Sequence, residues 1–183
     1  PDDQEPRSLD VYRKTLAAQP DHSVVIVSTG LLINLRDLLE SKPDAISPLP
    51  GIDLVRQKVK KLVVMGGQYP QGSESNFISM CAGPDTQYAV ENWPTPILFS
   101  GFEIGLPIIT GKVLAAAPVT NPVRRAYDYN SGRPSWDLTA ALAATEDPAL
   151  YWTVSGDGYC EVKPNGSDQW HPTPHRGHFY LIA

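Results

Sequence analysis

The chain has 183 residues, 42% hydrophobic and 19% charged, with 15 Lys plus Arg against 20 Asp plus Glu and a formal net charge of −5. This composition excludes a disordered chain, and the acidic balance argues against a dedicated nucleic-acid binder, which carries a basic face. No apolar run approaches the roughly 20 residues that cross a bilayer, so a membrane is not an expected partner either.

Leu9, Tyr12 and Leu16 fall on one face of a helix that Ser8 can cap. Ser23-Val24-Val25-Ile26-Val27-Ser28 is a continuous β-branched run. It predicts a strand buried on both faces, as in parallel sheets. After Thr29-Gly30, Leu31, Leu35, Leu38 and Leu39 keep a helical period through Glu40. Residues 41–50 read as a loop and Asp53 to Lys60 as a short charged helix. Leu62-Val63-Val64-Met65 predicts a second buried strand, ended by Gly66-Gly67. Residues 68–83 read as a polar loop, and Pro84 suits the first turn of a helix carrying Tyr88, Ala89 and Val90.

Pro96 to Ser100 is a third expected strand, ended by Gly101. Residues 103–117 look helical around a Gly-Leu-Pro break, and Val123 to Tyr129 and Trp136 to Ala144 are two further expected helices. The last thirty residues change character. Tyr151 to Val154, Cys160 to Val162 and Phe179 to Ile182 read as short strands split by turns, one of them at Asn165-Gly166. Cys81 and Cys160 leave one bridge or two free thiols open. The opening Pro1-Asp2-Asp3, with no Met and no signal peptide, is expected of the inside of a longer polypeptide, so the compartment stays unknown.

Alternating strands and helices predict an α/β fold: a largely parallel, Rossmann-like open sheet with flanking helices and a small C-terminal β-hairpin region. Residues 1–183 are expected to form one domain. Such sheets bind ligands beyond the carboxyl ends of their strands. Here those ends are Ser28-Thr29-Gly30, Met65-Gly66-Gly67 and Ser100-Gly101.

In the loop after the second strand, Glu74 and Asn76 lie two apart and point the same way if the segment is extended. A carboxylate beside an amide suits a polyol such as a sugar; a solvated surface loop is the plain alternative. Ser135-Trp136-Asp137 opens a helix. Either polar residue could simply stabilise its N-terminus, or Asp137 could bind a hard cation beside the flat face of Trp136. His171, His175 and His178 tempt as a zinc site, but Pro172, Pro174 and Gly177 forbid helical ligand spacing. Phosphate-cradling glycine motifs and a G-x-S-x-G elbow are absent, which weighs against a nucleotide-sensing regulatory domain.

Taken in order, Gly30 to Leu35, Leu62 to Gly67, Glu74-x-Asn76 and Ser135-Trp136-Asp137 resemble the inosine–uridine preferring nucleoside hydrolases. Asn92 to Gly105 is similar to a microbial branch of that family, and the resemblance covers nearly the whole chain. It implies calcium-dependent hydrolysis of the N-glycosidic bond of ribonucleosides. It also implies roles by position. Asp137 matches a metal-ligand aspartate, and Ile33 a residue whose backbone carbonyl binds the metal. Met65, Glu74 and Asn76 match residues that hold the ribose, and Trp136 stands near the leaving base.

The chain departs from that pattern in four places. The family's N-terminal D-x-D-x-x-x-D-D run, which supplies further calcium ligands and the general base, has no match; Asp2-Asp3 are too few and precede a helix. No catalytic residue is therefore expected within these residues, and the base is expected in an absent N-terminal segment or a second chain. Ser75 replaces the usual Phe, Ile33 the usual Thr, and the stretch from Phe77 to Pro84 is longer or shifted before Asp85. The expected partners are a ribonucleoside, that segment or chain, and further copies of the protein. The competing expectation is a catalytically inactive relative that binds a nucleoside or sugar.

Overall fold

The structure is a computed structural model and describes residues 5–127 and 132–183. Asp2, Asp3 and the end of the helix expected over Val123–Tyr129 lie outside the described residues. In chain order the elements are α1 (Ser8–Ala17), β1 (Val24–Ser28), α2 (Ile33–Glu40), α3 (Gly51–Lys58), β2 (Val59–Met65), β3 (Gln71–Ser73), α4 (Ser75–Ile78), α5 (Gly83–Asn92) and β4 (Ile97–Ser100). There follow α6 (Phe102–Gly105), β5 (Ile109–Thr110), α7 (Pro122–Ala126), β6 (Arg133–Pro134), α8 (Trp136–Thr145), β7 (Thr153–Val154), β8 (Tyr159–Val162), β9 (Ser167–His171) and β10 (His178–Ile182).

The main sheet has the order β1-β2-β4-β10-β7. Its first four strands run parallel and β7 antiparallel, so the α/β expectation holds. Side chains of β2 alternate between two cores, as a pleated strand requires. Leu62 and Val64 join Leu35, Leu38, Leu54 and Val55 under α2 and α3. Val63 and Met65 join Ile104, Ala140, Ala143 and Leu181 on the opposite face. The small alanines let α8 lie close to the strands.

Several expectations need correction. β1 is not buried on both faces: it is an edge strand in which Ile26 alone is buried and Val27 is 37% exposed. A β-branched run reports apolarity, and its neighbours decide how deep it lies. Ser8 is the first helical residue rather than a cap, and its hydroxyl donates to Asn34 Oδ1 at 3.2 Å. The loop over 68–83 contains β3 and α4, because β3 pairs with β9, an element the sequence did not announce. The segment after Phe102 is one helical turn, strand β5 and a 3-10 turn over Lys112–Ala116 rather than a long helix.

The C-terminal hairpin is real. β8 and β9 pair antiparallel around a turn in which Gly166 N–H donates to Lys163 O and Ser167 N–H to Asn165 Oδ1. β10, however, leaves that hairpin and enters the main sheet between β4 and β7. Both cysteines are free thiols, Cys81 exposed and Cys160 buried.

Candidate active site

Parallel pairing sets Ser28 beside Val64 and Met65 beside Ser100, which brings the three glycine-containing strand ends to one edge of the sheet. The chain turns sharply after β2 through Gly67, whose φ of +77° is a left-handed conformation that favours glycine. β3 then hands the chain to Glu74, the residue before α4. One Glu74 carboxylate oxygen accepts from Asn76 N–H at 2.8 Å, so the pair is locked by a local cap. Asn76 Nδ2 donates to Met65 O at 2.9 Å and to Met65 Sδ at 3.1 Å. That ties the loop back to the strand end and leaves Asn76 Oδ1 as the group able to accept from a ligand.

The second half of the site comes from α8. Gly105 permits it: a Cβ there would stand 2.4 Å from Trp136 Cα, so any side chain would push α6 off the start of α8. Ser135 precedes the helix without capping it, its hydroxyl bonded instead to Thr110 Oγ1 at 2.8 Å. Trp136 is fixed twice. Its Nε1 donates to Phe102 O at 3.0 Å, and its ring stacks on Phe102 at 5.3 Å between centroids. The Arg133 guanidinium lies 5.9 Å above the indole. Asp137 occupies the first turn of α8, where the helix dipole favours negative charge.

Met65, Glu74, Ser75, Asn76, Phe102, Arg133, Trp136 and Asp137 line one cavity of about 240 Å³. A second cavity of about 320 Å³ shares Arg133, Trp136 and Asp137 with it. The structure thus brings together five of the six residues singled out by sequence. Ile33 is not among the lining residues. It opens α2, where its carbonyl enters the helix's own hydrogen-bond ladder. Phe102 and Arg133 were missed by sequence reading. The Phe102 signal was present, since it stands two residues beyond Ser100 at a strand end.

Burial raises the Glu74 carboxyl above its ordinary range, opposed by the amides of Asn76, Gly67 and Ser75, while the Asp137 charge pushes it further up. Burial likewise raises Asp137, and Arg133 pulls it back. The pocket therefore offers two carboxylates in a partly dry place, an amide oxygen, a thioether and an aromatic shelf. As a cation site it is sparse. Calcium takes six to eight oxygens, and the described residues hold no group of three His, Cys, Asp or Glu side chains able to share a metal ion. The histidines near the C-terminus form no such group either: His171 Nε2 pairs with Glu161 at 2.8 Å, and buried His178 accepts from Cys160 N–H at 3.2 Å.

No protein-family model and no curated protein matches the chain. Its fold is similar to the crystal structure of an inosine–uridine preferring nucleoside hydrolase from Bacillus anthracis, with a TM-score of 0.60 at 16% sequence identity. The match covers 98% of this chain and 61% of that one, so the chain spans less than two thirds of the enzyme's length.

Proposed function

We propose that the chain forms the larger part of a nucleoside hydrolase site, in which water cleaves the N-glycosidic bond of a ribonucleoside to give ribose and free base. One observation carries the reading: Glu74 and Asn76 from the β3–α4 junction and Asp137 from α8, far apart in sequence, line one cavity at the carboxyl end of a parallel sheet. Ribose hydroxyls donate to Glu74 and to Asn76 Oδ1, and the sugar ring packs on Met65. The carboxylates of Glu74 and Asp137 lie where positive charge grows on the anomeric carbon as the bond to the base breaks, and they stabilise that oxocarbenium character. The flat Trp136–Phe102 pair gives the departing base a stacking face.

The described residues do not by themselves supply a calcium site or a general base. In this reading both come from polypeptide beyond the 183 residues. A strand added in parallel to the open edge of β1 would end beside Gly30 and Ile33, at the same edge of the sheet as the pocket. The test is release of reducing sugar from inosine and uridine by the chain together with its upstream polypeptide, with and without chelator. Activity lost on chelation and lowered about 10²–10³-fold by Asp137→Asn is the expected outcome. The sparse oxygen set favours a second reading, a nucleoside- or sugar-binding relative without turnover. Tight binding with no sugar release identifies it; neither binding nor release rejects both.

A further inference from the structure

Behind the pocket, three successive backbone amides of the turn after β2 each meet a different carboxylate. The Gly67 amide stabilises the charged form of Glu74. Gln68 N–H is shared by both oxygens of Asp168, each at 3.2 Å. Tyr69 N–H donates to Glu103 Oε2 at 3.3 Å. Glu103 also has a buried oxygen, Oε1, with no hydrogen-bond partner among the described residues. Asp168 does not line the pocket. It sits on β9, opposite Gly72 of β3 and Val162 of β8, and is 3% exposed. The neighbouring Tyr69, Trp170 and Tyr180 rings pack against one another on the same side.

A carboxylate this deep, with carboxylates as its charged neighbours, is costly unless it holds something in place. We propose that Asp168 is a positioning residue, which grips the Gly67–Tyr69 turn from behind through Gln68 and thereby fixes where Glu74 stands in the pocket. The proposal rests on the nucleoside reading only for what Glu74 binds; the grip is a property of the chain alone. It differs from structural packing in one respect: the group is not stabilising when charged. Burial, Glu103 and Glu74 raise the Asp168 carboxyl to about 7, against the opposing Gln68 amide. Two further groups feel its charge: the Tyr69 hydroxyl and the Cys160 thiol, both raised chiefly by burial and further by Asp168. Because the folded value lies above the unfolded one, the stability it contributes is present below about pH 4 and lost as pH rises through about 7.

Asp168→Asn tests this, since the amide oxygen still accepts from Gln68 while the charge is gone. At pH 8 that variant is expected to be at least as stable as the wild type and to bind inosine or ribose within about twofold of it, whereas Asp168→Leu, which cannot accept from Gln68, is expected to bind either about tenfold more weakly. In the wild type, backbone amide NMR shifts of both Gly67 and Gln68 should follow one titration near pH 7, which Asp168→Asn abolishes. An Asp168→Asn variant that loses stability at pH 8 overturns the proposal, as do an Asp168→Leu variant that binds as tightly as the wild type and a wild-type titration that moves Gln68 and leaves Gly67 still. If the wild type binds neither ligand, the nucleoside reading fails and the amide titration still decides the grip.

Discussion

β1 and β2 are adjacent, parallel and both rich in β-branched residues, yet they live in different surroundings. β2 has strands on both sides and a helical layer on each face, and its last four residues are buried. Among the described residues β1 has a strand on one side only, and a cavity of about 470 Å³ opens beside it, lined by Val11, Tyr12, Leu16, Val24 and Ile26 among others. The same kind of sequence builds a core strand in one place and an unfinished edge in the other. What separates them is the supply of neighbours, and an unpaired, apolar edge is a template for another strand.

The contrast can be tested first by truncation. Leu62→Ala in β2 should cost about 2–5 kcal/mol in urea unfolding, whereas Val27→Ala on β1 should stay within about 0.5 kcal/mol. Equal losses would mean that the two strands are equally enclosed.

A second test uses β10, which like β2 is enclosed by strands on both sides. Burial lowers His178 to about 4 from an ordinary 6.5, with Arg176 adding to the effect and Asp157 opposing it. Its folded value lies below the unfolded one, so the unfolded chain binds the extra proton between those values. Stability contributed by the neutral ring is therefore full above about pH 6.5 and lost on acidification towards pH 4, by about 3 kcal/mol. Asp168 acts in the opposite sense over this range and partly hides the slope. Unfolding free energies from pH 4 to 6.5 should thus rise more steeply in Asp168→Asn, and His178→Asn on that background should remove the rise. A slope unchanged by His178→Asn would place the ring in water.

The smallest effect belongs to the edge itself. Val27→Lys should leave stability nearly unchanged but suppress concentration-dependent association of the isolated chain, followed by light scattering. Association that persists in the variant runs through some other surface. If the isolated wild type is instead a stable monomer at every concentration, the edge needs no partner.

Much of the sheet was legible because β1, β2 and β4 are short apolar runs closed by glycine-containing turns. The pocket was legible in part, because Met65, Glu74, Asn76, Trp136 and Asp137 follow strand ends or open helices. The exposure of β1 was not, since no residue within a strand records whether another lies beside it. β9 was also hidden: Ser167-Asp168-Gln169-Trp170 lacks a β-branched run and exists through its pairing with β3 and β8. Arg133 and Asp168 matter through what the fold sets against them, an indole in one case and a backbone amide in the other.

The position of β10 has a consequence for biosynthesis. β10, made after every other strand of its sheet, is inserted between β4 and β7, and the hairpin carrying Asp168 is made just before it. While the ribosome still holds these residues in its exit tunnel, β4 has no partner on that side and the turn behind Glu74 has no support. The nascent chain therefore carries raw flanks at both margins of its layer until β10 has emerged, a window in which chaperone engagement should be strongest.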